Sequence, residues 1–517
     1  MNFPLRRLLF FAALTAYAFS ATNRLTLAPL HSGYLDNFNM YFMPALFDRT
    51  LFPADGVVLL FRRLMEHPLL REFPLFYFYG RASQLVPIQY LAKAVSFLLA
   101  LGSAELAFRT GRRLFGDDRP AFLFSAVALI CFLSMDSFYF GQNRSFGAFL
   151  FFAFVWLAAS GRYAALPPFV YLFYLFYPYL ALPAALASAG AFFLLPAGWR
   201  NRRLFLAAGL VSLALTVATD IGMDAAIGGA GAFSYKLTGF MGEPVLPGNP
   251  LHLAVYYFLN ANEHSRLYVV LLAALAAASA LGWRAAGWRA PEAVRRAAPP
   301  LAPFLVSFAL VYPFSPLMAS RETVFAVPYL LCAGAAAWAE AALGRARLGA
   351  AALGAAALFA VGQPYLNEVE DMTPYTGLYE ELRALPKDAM IAADPAGSLP
   401  GGIPYYSGRQ VFYNDITAEV LSAAAPLERK EAMRAAEAAA VCAADPSAAA
   451  AFAAAAGVTH FLVEPRQAPG GACGPAGSAL YRLAASGRAV LKASTPEGEV
   501  FLLKAADIPR GEPRRRG

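Results

Sequence analysis

The sequence is poor in charge for its length, and several familiar site motifs are missing from it. Only 15% of its 517 residues are charged, whereas a soluble chain of this length exposes far more charge. The chain contains no glycine-rich phosphate loop, no HExxH and no CxxC. These absences argue against a soluble enzyme and against the motif-bearing nucleotide and zinc sites.

Cysteine is also scarce, and the four cysteines do not have the spacing of a metal site. Cys131 and Cys332 fall within apolar runs and are expected to be core residues. Cys442 and Cys473 lie near the C-terminus, where a disulfide is one alternative. No repeat of fixed period is found beyond the succession of apolar runs.

Apolar residues dominate instead. They make up 59% of the chain, the mean hydropathy is +0.49, and several runs approach the roughly 20 residues that cross a bilayer as a helix. The sequence therefore predicts a mainly α, polytopic membrane helix bundle of about eleven spans. The predicted spans cover residues 6–22, 84–108, 120–140, 145–160, two spans within 162–200, 204–222, 265–283, 300–318, 323–343 and 348–362.

Arginine clusters fall at alternate gaps between these runs, which sets the topology because positive loops stay cytoplasmic. The run from Arg162 to Arg200 begins and ends at such a cluster, so it is predicted to be a hairpin turning near Tyr177-Pro178-Tyr179. The N-terminus is predicted to lie on the cytoplasmic side of the inner (plasma) membrane and the C-terminal region on its outer side. This positional pattern accounts for the pI near 9.2 and the net charge of +8 without any nucleic-acid partner.

Residues 1–362 are predicted to be the membrane domain, with two large outer loops at 23–83 and 222–264. A cleaved signal peptide is an alternative start, and it leaves the first loop outside as well. In this loop a helical pattern runs from Asp55-Gly56 toward Pro68, and a second apolar piece covers Phe73–Tyr79. Both pieces either lie on the membrane surface or pack against the spans.

Residues 363–508 are predicted to form a small extracytoplasmic α/β domain, followed by a basic, disordered tail at 509–517. A helical stretch at 427–456 is broken near Asp445-Pro446. Asp394-Pro395 and Tyr405–Arg409 follow strand-like segments, where they could contact a ligand or serve as a structural cap. The strand-like runs are Met390–Ala393, Gln410–Tyr413, Thr459–Val463, Ala489–Lys492 and Val500–Lys504.

Ionisable residues near the outer ends of the spans are candidates for binding an anionic lipid head group. Such charges are costly in a bilayer, so they snorkel, form structural ion pairs or face a polar cavity. Arginine suits phosphate because its fork donates two hydrogen bonds at once. The candidate substrate- and phosphate-binding residues are Lys93, Arg144, Lys236, Arg321 and Glu322, and Asp136 lies at a similar depth.

The membrane part resembles the GT-C superfamily of polyprenyl-phosphate-sugar-dependent glycosyltransferases. The features shared are one short N-terminal span, a long outer loop carrying an acid in Tyr34-Leu35-Asp36-Asn37, surface helices, further spans and an outer α/β-like domain. The resemblance implies that Asp36 is the catalytic base. Many members have a second acid where this chain has Asn37, and Asp48 is a reserve candidate.

The resemblance implies an enzyme that transfers a sugar from a polyprenyl phosphate to a lipid, glycan or protein hydroxyl at the outer face, as in the assembly of a cell-envelope glycan. Asp36 would take the acceptor proton, and Arg144, Arg321 or Lys93 would stabilise the leaving phosphate, so the anomeric centre inverts. A divalent Mg or Mn ion between Asp36 and phosphate is one alternative, although the sequence shows no ligand cluster. A transporter or flippase of lipid-linked sugars and a non-catalytic scaffold subunit are the rival functions.

Overall fold

The computed structural model describes most of the chain, with gaps that include the segment around Asp36. The described residues are 3–23, 31–32, 40–53, 55–66, 73–133, 143–194, 199–227, 266–285, 287, 289, 291–312, 325–344, 347–355, 357, 370–396, 399–413, 427–471 and 473–509. Up to residue 344 the helices are α1 Phe3–Asn23, α2 Gly56–Leu64, α3 Phe73–Ala82, α4 Ile88–Phe115, α5 Asp118–Leu133, α6 Asn143–Ala159, α7 Pro168–Phe176, α8 Ala181–Leu194, α9 Trp199–Ile227, α10 Arg266–Ala285, α11 Glu292–Val311 and α12 Ala326–Leu343.

Four helices are long and apolar enough to cross a membrane, namely α4, α11, α12 and the Arg202–Gly222 part of α9. The chain is therefore an integral membrane protein, as predicted. The count of about eleven spans is not confirmed, because only these four helices meet both criteria within the described residues and several others are shorter. For example, the nine residues of α7 extend only about 14 Å, against a bilayer core of about 30 Å. The predicted hairpin does turn where expected, since Tyr177 ends α7.

The apolar helices differ in how much protein surrounds them. In their most apolar stretches, 56% of the residues of α4 are buried but only 17% of those of α9. Helix α4 packs closely on α5, since a Cβ added at Gly111 would come within 2.9 Å of the Ala121 Cα. Helix α9 instead leaves Leu204, Leu210 and Ile221 exposed. An apolar face of this kind suits contact with lipid.

Two short helices in the first loop fall where the sequence predicts them. Helix α2 begins directly after Asp55, whose Oδ1 accepts a hydrogen bond from the Val58 N–H at 3.1 Å, the geometry of an N-cap. Helix α3 buries Leu75 and Phe76 while Tyr77 stays exposed. Both helices therefore have one packed and one open face.

The C-terminal domain contains α13 Thr376–Ala384, α14 Leu399–Ser407, α15 Leu427–Val441, α16 Pro446–Ala456 and α17 Ala479–Leu483. Two short strands, β1 His31–Ser32 and β2 Glu370–Asp371, pair with each other outside the main sheet. The main sheet contains β3 Met390–Ala392, β4 Gln410–Val411, β5 His460–Val463, β6 Leu491–Thr495 and β7 Gly498–Lys504, in the order β4-β3-β5-β7-β6. Strand β3 is parallel to β4 and β5, whereas β7 is antiparallel to β5 and β6. The strand-like runs of the sequence thus form one sheet. The predicted helix break is also confirmed, because Asp445 caps α16.

Candidate functional site at the loop–domain interface

The first loop and the C-terminal domain pack against each other and share one hydrophobic core. We call this contact region the loop–domain interface. Its buried side chains include Tyr41, Phe52, Tyr79, Tyr379, Ile403 and Tyr406. The first turn of α4 joins it, because the Gln89 side-chain amide donates a hydrogen bond to the Tyr405 carbonyl at 2.5 Å.

Asp36 lies outside the described residues, but both flanks of its segment lie at this interface. On one side, His31–Ser32 (β1) pairs antiparallel with Glu370–Asp371 (β2). On the other side, Met40 and Tyr41 are buried in the shared core. Along the sequence, Asp36 is four residues from Ser32 and five from Tyr41.

Tyr41 is held by the residue that caps α2. Its hydroxyl donates to Asp55 Oδ2 at 2.8 Å, and Asp55 is itself buried. Between them, Phe52 has a φ of 49°, a left-handed conformation that is uncommon for a bulky residue and often marks a functional site. The sequence identified Asp55 as the start of a helix, but it did not predict this second bond to Tyr41.

Arg62 fixes the loop that precedes α2. Its guanidinium donates to the carbonyl of Ala45 at 2.5 and 2.9 Å and to the carbonyl of Asp48 at 2.9 Å. The sequence placed Arg62 on the polar side of the surface helix and gave it no role. Its contacts show that this polar side faces the first loop itself.

Asp48, the reserve candidate for the base, is engaged in a local turn. Its Oδ1 accepts hydrogen bonds from the Thr50 N–H at 2.9 Å and the Thr50 hydroxyl at 2.6 Å, and Lys387 Nζ lies 3.9 Å from Oδ2. Partial burial raises the pKa of Asp48, but the Thr50 bonds, Lys387 and Arg62 outweigh it and lower the pKa overall. A general base works best with a pKa near the working pH, so these contacts fit a structural role better.

Lys93 is buried inside an apolar helix, at 3% exposure. It lies in the second turn of α4, four residues beyond Gln89, so the two side chains lie on one face about 6 Å apart along the axis. Ser96, also buried, continues this face toward the interior of the bundle. A cation at such a position is costly unless it meets polar groups, which makes Lys93 a functional candidate.

The other residues predicted for the site lie in parts of the chain, or have side chains, that the structure does not describe. Asp136, Lys236, Arg321 and Glu322 lie outside the described residues. Arg144 belongs to α6, but its side chain is also outside them. Their convergence on one cavity therefore stays a prediction.

A cavity of about 450 Å³ opens at the loop–domain interface, where the first loop, the start of α4, α13 and α14 meet. Its lining includes Tyr41, Phe52, Gln89, Tyr90, Glu380 and Arg383. The Arg383 guanidinium donates to the Tyr406 carbonyl at 2.7 Å, which fixes it at the rim. Lys93 lies one helical turn deeper than Gln89, so the cavity and the buried cation share one face of α4.

Two stretches of the C-terminal domain were predicted to contact a ligand or to serve as a structural cap. Asp394 Oδ1 accepts from the Ala396 N–H at 2.9 Å, and its Oδ2 accepts from the Gln467 amide at 3.1 Å, which fits the cap. The Arg409 guanidinium donates to backbone carbonyls, among them Leu385 at 2.8 Å, which is also a structural role. The preceding residues of this second stretch, from Tyr405 to Gly408, line the cavity.

The same domain buries two further carboxyl groups. Glu437 accepts a hydrogen bond from the Ala393 N–H at 3.1 Å, and burial raises the pKa of Glu437 to about 9. Burial, together with the charge of Asp394, raises the pKa of Glu464 to about 8. Within the described part of the chain, no group of three His, Cys, Asp or Glu side chains could hold a metal ion.

No protein-family model matches the chain, and no curated protein matches it. Among solved structures, it is similar to the oligosaccharyltransferase of Archaeoglobus fulgidus. The crystal structure with zinc and sulfate aligns at 11% identity and a TM-score of 0.44, over 97% of this chain and 74% of that chain. AglB with an inhibitory peptide and a dolichol-phosphate aligns at 12% and 0.43, over 89% and 69%. The apo form aligns at 12% and 0.46, over 89% and 70%.

These neighbours belong to the GT-C superfamily, which is the superfamily that the sequence resembles. Their TM-scores are too low to establish a shared fold, so the function proposed for this chain depends on its own residues and contacts.

Proposed function

We propose that this integral membrane protein is a glycosyltransferase that moves a sugar from a polyprenyl-phosphate donor to an acceptor hydroxyl at the outer membrane face. The observation that carries the proposal is the loop–domain interface. There, Tyr41, which follows the Asp36 segment, lines a cavity together with Gln89 of α4, and Lys93 lies buried one helical turn beyond Gln89. An acid near a cavity and a cation in the adjoining membrane helix suit transfer from a lipid phosphate.

In this proposal Asp36 accepts the proton of the acceptor hydroxyl as the hydroxyl oxygen attacks the anomeric carbon. The bond from the anomeric carbon to the phosphate oxygen breaks, and the lipid phosphate leaves with the electron pair. Lys93 stabilises the charge that develops on that phosphate, with Arg144, Arg321, Glu322 and Lys236 as further candidates for binding the donor. A single displacement of this kind inverts the configuration of the sugar.

A divalent metal, Mg or Mn, stays part of the proposal only as a partner of Asp36. The described residues offer no cluster that would hold it. Its presence would therefore depend on Asp36 together with the phosphate of the donor, and no step above requires it.

The disulfide supports placing the C-terminal domain outside the plasma membrane. Cys442 and Cys473 are bonded to each other, which settles the alternative that the sequence left open. Disulfides persist in oxidising compartments and are rare in the cytosol. The same side of the membrane is where nucleotide sugars are absent, which suits a lipid-linked donor.

The test is transfer of label by the purified full-length chain in liposomes. A panel of tritium-labelled polyprenyl-phosphate hexoses and pentoses is supplied with a lipid, a glycan or a peptide acceptor. The proposal predicts a new glycosidic bond of inverted configuration, and no transfer by the Asp36→Asn variant at equal amounts of folded protein.

The rival functions give different results in the same liposomes. Movement of the labelled lipid across the bilayer without a new glycosidic bond would indicate a transporter or flippase. Neither movement nor transfer, together with co-purification of a stable partner, would indicate a scaffold subunit. Either result would overturn the proposal.

A further inference from the structure

We propose that the cavity at the loop–domain interface is the binding site for the sugar unit that carries the acceptor hydroxyl. This inference rests on the proposed glycosyl transfer, because a sugar bound here is an acceptor only if that reaction takes place. The volume of about 450 Å³ lies within the range of sites that enclose small molecules. Tyrosine faces and a few charged groups at the rim line it, rather than aliphatic side chains alone.

The lining offers a partner for each of the two kinds of surface that a sugar has, its C–H face and its hydroxyl groups. Tyr90 is 40% exposed at the start of α4, so its ring offers a flat apolar face to the C–H side of a pyranose. Glu380 and Arg383 also line the cavity and are exposed, and they lie on one face of α13. A carboxylate accepts hydrogen bonds from two hydroxyls, and a guanidinium has five N–H donors, of which the bond to Tyr406 uses one.

The cavity walls are held in place before any ligand arrives. The Tyr379 and Tyr406 rings are 5.0 Å apart, and Gly402 leaves room for the Tyr379 hydroxyl, since a Cβ there would lie 2.5 Å from it. Tyr41 is oriented by Asp55 at 2.8 Å. A site with fixed walls loses little conformational entropy when a ligand binds.

The local backbone favours a sugar over a peptide. Peptides are commonly bound by adding a strand to an open sheet edge. The cavity is lined instead by the first loop, the first turn of α4 and the helices α13 and α14, and none of its lining residues belongs to a strand. The carbonyls of Tyr405 and Tyr406 already accept bonds from Gln89 and Arg383. Recognition would therefore come mainly from side chains, and polyhydroxylated ligands match these side chains.

The position also suits an acceptor. Tyr41 lines the cavity and follows Asp36, the proposed base, by five residues in the sequence. The donor lipid would approach from the bilayer, toward Lys93 on the same helix face. A sugar in the cavity would thus meet the donor at the membrane surface.

The experiment measures binding of soluble methyl glycosides to the full chain in phosphatidylglycerol nanodiscs, which contain no sugar head groups. The panel covers hexoses, pentoses, deoxyhexoses and N-acetylhexosamines, followed by saturation-transfer NMR and titration. Tyr90→Ala and Glu380→Gln are each expected to weaken binding about tenfold. The matched controls Tyr77→Ala and Glu381→Gln, which are exposed but do not line the cavity, are expected to stay within about twofold.

The outcomes separate this inference from the proposed function. Binding that depends on Tyr90 and Glu380, and that survives Asp36→Asn, supports the sugar site even if no transfer is found. Absence of any glycoside binding, or equal binding by all four variants, overturns the site even if the wild type transfers label. Binding of acetylated Asn-, Ser- or Thr-containing tripeptides in place of glycosides, with the same dependence on Tyr90, overturns the ligand class.

Discussion

The loop–domain interface and the interior of the C-terminal domain differ in how far their charged side chains are exposed to solvent. At the interface, Glu380 and Arg383 are exposed and line a cavity. In the interior, Glu437 and Glu464 are sealed at 1% exposure, and burial raises the pKa of both groups. Exposed charged side chains can contact a ligand, whereas buried carboxyl groups with raised pKa values make the stability of the domain depend on pH. We therefore place the chemistry at the interface, and we expect the buried carboxyl groups to lower the stability of the domain.

Removing the buried cation beneath the cavity is expected to have the largest effect. Lys93→Met keeps the length of the side chain but removes the ammonium group that is proposed to stabilise the departing phosphate. Transfer should fall about 10²–10³-fold, the usual loss when one preorganised charge donor is removed. Lys387→Met, which changes an exposed lysine outside the cavity, is the control. Equal activity of the two variants would show that Lys93 is only a structural residue.

The next effect concerns the interior of the C-terminal domain. Cys442 and Cys473 close a loop of 31 residues. Replacing both with Ser should lower the free energy of unfolding of this domain by about 3 kcal/mol, because the unfolded chain gains freedom. Hydrogen exchange of the full chain measures the loss. Cys131→Ala, a change in the membrane core, should leave hydrogen exchange in the C-terminal domain unaltered. Equal destabilisation of the domain by Cys131→Ala and by the double replacement would contradict the stabilising role of the disulfide.

The sealed carboxyl groups should make the domain's stability fall as the pH rises. The folded pKa of Glu437 is raised to about 9 from 4.5. Its contribution is therefore fully present below pH 4.5 and is lost as the pH rises toward 9. Glu437→Gln should raise the free energy of unfolding at pH 8 by about 2 kcal/mol relative to the wild type. The exposed Glu431→Gln on the same helix is the control, and an unchanged pH profile in Glu437→Gln would refute the prediction.

The smallest effect is expected from the exposed ion contact across the interface. Lys387 Nζ lies 3.0 Å from the Thr50 hydroxyl and 3.9 Å from Asp48, and its side chain is 58% exposed. Contacts of this kind contribute about 0–1 kcal/mol. Lys387→Ala should therefore change hydrogen exchange in the first loop very little. A large loss of protection there would mean that the interface depends on this charge rather than on its apolar core.

The sequence was most informative where a pattern of residues has only one structural explanation. Short strand-like runs located the strands of the C-terminal sheet, and Asp445-Pro446 marked the start of α16 because Asp445 caps the helix. The span count is not confirmed, for the opposite reason. Apolar length alone does not distinguish a full span from a short helix, as the nine residues of α7 demonstrate.

The candidate site was harder to predict because its parts are far apart in the chain. Gln89 meets Tyr405, and β1 meets β2, across more than 300 residues, and no local pattern indicates such contacts. The depth of Lys93 was predictable from its place in an apolar run. The role of Arg62 was not, since an arginine on a surface helix resembles any solvated residue until its carbonyl partners are known.

The most direct test of the central claim compares two acids of the first loop in the liposome transfer assay. Asp36→Asn and Asp48→Asn are purified in equal amounts of folded protein and supplied with the same labelled polyprenyl-phosphate sugar. The account predicts that Asp36→Asn abolishes transfer, whereas Asp48→Asn retains most of it because that carboxylate is engaged by Thr50. Near-normal transfer by Asp36→Asn, or loss of transfer only in Asp48→Asn, would contradict the account.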